Sequence, residues 1–242
     1  MNKEMSIIIL AAGKGTRMES NCPKLLHKLG NKTILQYVIE TAQKINKRKI
    51  FLICNQKILP ISSCIKDHSI EWILQNKPLG TGDAVKQAEK KILDNEDILV
   101  LSGDVPLISK KTIERLRQYK KQHKIILLTM KINKPYGYGR ILRKNGKIIK
   151  IIEDNELNIN EKKIKEIYSG IFIVNGIDLK KWIQKINNNN LKKEYYITDI
   201  ISFAVQEGCF IPTVQPYKDQ EILGINNQSQ LSFLEKNYKI IT

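Results

Sequence analysis

Apolar residues along this chain fall into two alternating rhythms. Residues 6–12 form a nearly continuous apolar run, as do "KIFLIC" (49–54), "EWILQ" (71–75) and the start of "DILVLSGD" (97–104). Runs this short, bounded by polar or Gly-containing segments, predict buried strands. Between them the apolar positions spread to helical spacing: Ile34, Leu35, Val38, Ala42 and Ile45, then Ala84, Val85, Ala88 and Ile92. A helix around 110–121 leads into a strand over 124–132. Strands and helices alternating in this way predict an α/β fold, with a mostly parallel central sheet covered on both faces.

The second half changes rhythm. "GRILRKNGKIIKIIED" carries two β-rich arms around Asn145-Gly146, a hairpin signal, and "KEIYSGIFIVNG" supplies a further strand. Two helical stripes follow, Leu179, Trp182, Ile183 and Ile186, then Ile197, Ile200, Ile201 and Ala204. Residues 226–240 read as a last helix opened by Asn226 as N-cap. With no repeat and no Pro/Gly/Ser-rich linker, the expectation is one domain over 1–226 bearing an added β layer in its second half. A C-terminal helix over 227–242 follows it.

Composition narrows the classes of function. Among 242 residues no apolar run approaches the roughly 18–20 needed to span a bilayer. The apolar stretch in "MNKEMSIIIL" is too short for a secretory signal, so a cytoplasmic protein with no membrane partner is expected. Cys22, Cys54, Cys64 and Cys209 are scattered, which suits free thiols better than a Cys/His metal site. The formal charge of +17 would attract polyanions non-specifically. However, Arg, the residue suited to bidentate phosphate and base contacts, supplies only Arg17, Arg48, Arg115, Arg117, Arg140 and Arg143 of the 41 basic residues. The lysines are spread along the chain, so no specific nucleic-acid partner is expected.

Candidate chemistry sits at the predicted strand ends, where open parallel sheets bind ligands. The stretch "IILAAGKGTRMESNCPK" (8–24) delivers Gly13, Gly15 and Arg17, yet it matches neither a P-loop nor a dinucleotide fingerprint. It is either a phosphate loop of another kind or a tight turn with a surface Arg. Ser102-Gly103-Asp104 ends the third central strand, where Asp104 suits Mg²⁺ or merely closes a turn before Pro106. Lys24 follows Pro23, and Gly80-Thr81-Gly82 precedes a helix whose N–H groups it could present or simply cap. None of these features decides the matter singly.

Taken in order, "LAAGKGTRM" with "PK", "LQ" and "LGTGDA", "LSGDVPLI", "YGYGRI", "IIED", "EYYITDII" and "GINN" resemble a known family. It is the nucleotidyltransferase domain of bifunctional bacterial N-acetylglucosamine-1-phosphate uridylyltransferase/glucosamine-1-phosphate acetyltransferase, and the match runs from about residue 5 to about 238. The resemblance implies the Rossmann-like nucleotide-diphospho-sugar transferase fold. It also implies Mg²⁺-dependent formation of UDP-N-acetylglucosamine and pyrophosphate from UTP and N-acetylglucosamine 1-phosphate, for peptidoglycan and lipopolysaccharide precursors. Carried over, Leu10, Ala11, Ala12 and Gly13 would hold the nucleotide, with Ser102 and Gly103 beside them. Arg17 and Lys24 would neutralise phosphate charge, and Gln75, Gly80 and Thr81 would read the uracil. Asp104 and Asn226 would bind Mg²⁺, Asp104 being counted with Arg17 and Lys24 as catalytic. Gly139, Glu153 and Tyr168 would line the sugar site.

Two departures mark this chain. Tyr168-Ser169-Gly170 stands where the family typically has Asn-Thr-Gly, and a Tyr hydroxyl cannot reproduce an amide's donor and acceptor pair. The family's hexapeptide β-helix does not follow in this sequence, and 227–242 is expected to be the remnant of a linker to it. A monomer without acetyltransferase activity is therefore expected. Two alternatives stay open, a transferase for a different sugar 1-phosphate and a degenerate chain that binds nucleotide without turnover.

Overall fold

The computed structural model describes residues 4–15, 18, 20, 22–46, 49–65 and 67–241, the last four of these as backbone. Its elements, in chain order, are β1 (Met5–Ala11), β2 (Lys28–Leu29), β3 (Lys32–Thr33), α1 (Ile34–Ile45), β4 (Ile50–Cys54) and β5 (Ile70–Leu74). Then come α2 (Thr81–Gln87), β6 (Asp97–Ser102), α3 (Lys110–Lys120), β7 (Ile125–Lys131), β8 (Arg140–Lys144) and β9 (Lys147–Ile152). The chain finishes with β10 (Glu166–Asn175), α4 (Gly176–Ile183), α5 (Asp199–Gln206), β11 (Thr213–Val214) and α6 (Gln228–Ile241).

The main sheet runs β11-β7-β10-β6-β1-β4-β5. β4 and β6 flank β1 in parallel, β5 continues parallel to β4, and β11 lies parallel to β7. β10 is the exception, wedged antiparallel between β6 and β7. The β8–β9 hairpin joins β10 through Ile167 opposite Arg140, forming the added β layer. Its turn places Asn145 and Gly146 at φ 50° and 76°, left-handed at both positions as a two-residue hairpin turn requires.

Alternation along each strand sends successive side chains to opposite faces. Ile7, Ile9, Leu99 and Leu101 meet Leu35, Val38, Ile113 and Leu116 of α1 and α3 in one apolar layer. Ile8, Ile98 and Val100 meet Val85, Leu179, Trp182 and Ile200 of α2, α4 and α5 in the other. Each of these side chains is essentially fully buried, and burying one stabilises the fold by about 1.5–3 kcal/mol. α1 begins on a capping box, in which Thr33 Oγ1 accepts from Gln36 N and Gln36 Oε1 accepts from Thr33 N.

The expected last helix needs one correction. It starts at Gln228, and its cap is Asn227, whose Oδ1 accepts from Gln230 N at 2.9 Å. Asn226 is therefore not the N-cap; its side-chain oxygen turns instead toward Lys24. α6 lays Leu231 and Leu234 into the first apolar layer. Among the described residues, no helix is long and apolar enough to cross a membrane.

Candidate active site

The carboxyl ends of β1 and β6 lie side by side, with Leu10 opposite Ser102. Gly103 then donates its N–H to Leu10 O at 2.9 Å, and a Cβ at this position would stand 2.7 Å from that oxygen. Only glycine lets the two backbones approach this closely, and the approach places Asp104 at the strand ends.

Three side chains remote in sequence converge there. Lys24 Nζ donates to Asp104 Oδ2 at 2.6 Å and to Asn226 Oδ1 at 3.2 Å. Ser102 Oγ donates to Asp104 Oδ1 at 2.6 Å, and Ile225 N donates to the Asp104 carbonyl at 2.9 Å. Burial alone would raise the Asp104 carboxyl, but the Lys24 ammonium and the hydrogen bonds from Lys24 and Ser102 outweigh it and hold it below its ordinary value. Asp104 is therefore a carboxylate at neutral pH. Gly15, at φ 62°, folds the first loop against Lys24, where a Cβ would come within 2.6 Å of Lys24 Cβ. Gly13 faces open space, and Asn55 Nδ2 steadies the turn through Ala12 O at 3.1 Å. Arg17 lies outside the described residues.

The three residues expected to read a base also come together. Gln75 is buried, and its Nε2 donates to Gly80 O at 3.1 Å and to Asp83 Oδ2 at 2.6 Å. With the amide nitrogen committed, its carbonyl oxygen is the group left for a ligand. Gly80 takes φ 115° with its Cα against Tyr195, where a Cβ would lie 2.5 Å from the carbonyl oxygen. Tyr195 N donates to Leu79 O, Gly82 N to Tyr195 O, and Ile197 N to Thr81 Oγ1. These bonds zip the 79–82 loop to the segment before α5.

That segment also serves the opposite side of the cleft. Thr198 Oγ1 donates to Glu153 Oε1 at 2.8 Å. Tyr168 N donates to Gly139 O at 2.9 Å, and a Cβ on Gly139 would lie 3.9 Å from Glu153 Oε2. Gly139, Glu153 and Tyr168 thus form one group. Burial pushes the Glu153 carboxyl above its ordinary value, against the pull of Thr198 and Lys192. Burial likewise pushes the Tyr168 phenol well up, and the Glu153 charge adds to this. A hollow of about 320 Å³ opens beside them, lined by Glu153, Glu156, Asn190, Tyr196, Thr198 and Asp199. A larger hollow, about 490 Å³, lies behind the Gly80 loop and holds none of Lys24, Asp104 or Asn226, so size alone does not locate the chemistry.

Tyr138 ties the Gly139 segment to the one that carries Asn226. Its hydroxyl oxygen accepts from Gly224 N at 3.0 Å, two residues before Asn226, and Gly139 follows it in the chain. Thr198, Tyr138 and Asp83 are hydrogen-bonded neighbours of the candidate site that the sequence does not single out. All three stood within motifs already noted, "EYYITDII", "YGYGRI" and "LGTGDA".

Among the described residues, no group of three or more His, Cys, Asp and Glu side chains could hold a metal. What the site does offer is two oxygens, Asp104 Oδ2 and Asn226 Oδ1, already converging on one cationic atom. Two hard oxygen donors fit a Mg²⁺ ion, which completes its shell with water and substrate phosphates.

A family model for the MobA-like NTP transferase domain matches residues 7–144, more than half of the chain. The chain belongs to this nucleotidyltransferase family. Two relatives, each named bifunctional protein GlmU, come from Buchnera aphidicola subsp. Schizaphis graminum and subsp. Acyrthosiphon pisum. They are 54% and 56% identical over 239 residues, 99% of this chain and 52% of each relative. The chain thus spans about half the length of the curated relatives it matches, and the match bears out the resemblance to their nucleotidyltransferase domain. A solved structure of UDP-glucose pyrophosphorylase with UDP-glucose superposes with a TM-score of 0.77 over 99% of this chain and all of that one, at 15% identity. That likeness establishes the nucleotide-diphospho-sugar transferase fold and nothing finer.

Proposed function

We propose that this nucleotidyltransferase is a Mg²⁺-dependent uridylyltransferase making UDP-N-acetylglucosamine and pyrophosphate from UTP and N-acetylglucosamine 1-phosphate. It would act in the cytoplasm and feed cell-wall precursor synthesis. The observation that carries the reading is the convergence of Lys24, Asp104 and Asn226 at the end of β6, a strand that the sheet order puts between β5, which leads to Gln75, and β10, which pairs with the hairpin leading to Glu153. A phosphate-binding centre set between a base-reading side and a sugar-reading side is what nucleotidyl transfer to a sugar phosphate requires.

In the reaction, a phosphate oxygen of the sugar phosphate bonds to the α-phosphorus of UTP while the bond from that phosphorus to the bridging oxygen breaks. The electron pair leaves with pyrophosphate. The attacking oxygen is already anionic, so no general base is required, and catalysis reduces to positioning and charge stabilisation. Asp104 and Asn226 would hold the Mg²⁺, whose contribution when bound is to offset phosphate charge. Gly13, with open space where a Cβ would be, lets a phosphate approach the backbone. Lys24 supplies a mobile positive charge, and Arg17 a second in this reading. Gln75, tied to Gly80, presents its carbonyl oxygen to the uracil N–H. Glu153 accepts from sugar hydroxyls while Thr198 fixes its orientation.

Tyr168, packed beside Glu153, supports a second reading in which another sugar 1-phosphate is preferred. Both readings meet one experiment, pyrophosphate release from UTP with Mg²⁺ and a panel of sugar 1-phosphates. The first expects N-acetylglucosamine 1-phosphate to be the fastest acceptor; faster turnover of glucose 1-phosphate selects the second. Asp104→Ala is expected to slow release about 100-fold or more, and near-normal release would remove Asp104 from the metal site.

A further inference from the structure

Lys24 stands where the proposed cation would stand. Its ammonium bonds the same two oxygens, Asp104 Oδ2 and Asn226 Oδ1, that a divalent ion would bridge. Ser102 holds the other Asp104 oxygen, so the free corner of the carboxylate is the one Lys24 takes. The Lys24 and Asp104 side chains are only 14% and 18% exposed, so water screens the pair weakly. A Mg²⁺ ion held by the same two oxygens would compete with the ammonium for them, and two cations at one pair of oxygens repel.

We infer that Lys24 is a built-in counter-ion that keeps the metal seat filled until the nucleotide arrives. The inference rests on the reading of Asp104 and Asn226 as metal ligands. The seat draws its two oxygens from distant parts of the chain, residues 104 and 226, and the ammonium joins them. With one carboxylate and one neutral amide, and no cluster of three or more His, Cys, Asp and Glu side chains among the described residues, the seat has little to gain from a metal that arrives alone. An incoming triphosphate gives Lys24 a better anion, and its oxygens supply the ligands that the protein lacks. One cation then leaves the seat as the other enters, so metal and nucleotide bind together. Gly15, pressed against Lys24 Cβ, links this swing to the loop that would carry the phosphates.

The test uses Mn²⁺ alone, without nucleotide, on the full chain, with bound metal read by electron paramagnetic resonance. Wild type is expected to bind Mn²⁺ weakly, and Lys24→Met at least tenfold more tightly. Adding Asp104→Asn to Lys24→Met should abolish the gain. Lys24→Gln, which keeps a hydrogen-bond donor but no charge, is the second variant, and a Mn²⁺-induced rise in melting temperature should appear in it and not in wild type. Equal or weaker Mn²⁺ binding by both folded Lys24 variants would overturn the inference. So would a gain that survives Asp104→Asn. The underlying metal reading is judged separately, by whether Asp104→Asn in the wild-type background loses Mn²⁺-supported pyrophosphate release.

Discussion

Gly13→Ala separates what the first loop does for the fold from what it does for a ligand. A Cβ built at Gly13 meets nothing within 4 Å, and the backbone there does not need a left-handed φ. The substitution should therefore leave the fold intact, and by stiffening the unfolded chain it could add about 0.4–1 kcal/mol of stability. The ligand account predicts the opposite sign for binding. If a phosphate packs against this backbone, the methyl group displaces it and weakens a charge-assisted hydrogen bond of about 1.5–3 kcal/mol. At 1.4 kcal/mol per decade, UTP affinity should fall roughly 10- to 150-fold. Calorimetric titration with UTP and Mg²⁺ gives the affinity, and urea denaturation of the same samples gives the stability. Gly146→Ala is the control: its φ of 76° costs an alanine about 1 kcal/mol of strain, at a hairpin turn remote from the cluster, so UTP binding should not change. UTP affinity within twofold of wild type in Gly13→Ala would refute the claim that phosphates lie over Gly13.

Two further substitutions probe the walls of the cleft. Gly80→Ala would place a Cβ 2.5 Å from Tyr195 O and 2.7 Å from Tyr195 N, at a φ of 115°. Rigid backbone on the far side should make this cost about 2–4 kcal/mol in urea denaturation, and a loss under 1 kcal/mol would contradict the packing. Asp199, the first residue of α5, has its carboxyl pushed up from 3.8 to about 6 by burial, with Glu156 adding repulsion. Its proton is held more tightly folded than unfolded, so its charge costs little below pH 4, increasingly more up to pH 6, and its full amount above that. Two pKa units correspond to about 3 kcal/mol, which solvent screening and the favourable helix N-terminus reduce to about 1 kcal/mol. Asp199→Asn should thus stabilise the protein at pH 8 and lose most of that gain by pH 4.5; a pH-independent effect would rule this out.

Much of the fold could be read from periodicity because it is local. The runs at 6–12, 49–54 and 97–104 became β1, β4 and β6, and Asn145-Gly146 formed the expected hairpin turn. The antiparallel wedging of β10 between β6 and β7 was not readable, because strand order is decided by non-local pairing to which both neighbours contribute apolar faces. The helix cap was misplaced by one residue for a simpler reason. Asn226 and Asn227 are chemically identical candidates, and only the path of the chain decides that one caps α6 while the other reaches Lys24. Residue types and spacing alone showed the site only as separate motifs, and the pairing of Asp104 with Asn226 came from the family resemblance. Positions 24, 104 and 226 reveal nothing of their convergence until β1 and β6 are paired and Gly103 brings the strand ends together. Thr198 is not legible in the sequence because a lone threonine carries no signal of its own, and its bond to Glu153 exists only in the folded chain.

The most direct test of the account is to follow UTP, N-acetylglucosamine 1-phosphate and Mg²⁺ by ³¹P nuclear magnetic resonance in the presence of the protein. The account predicts UDP-N-acetylglucosamine and pyrophosphate appearing in equal amounts, with both absent when either the metal or the sugar phosphate is left out. Unchanged UTP and sugar phosphate after prolonged incubation with folded, UTP-binding protein would contradict it.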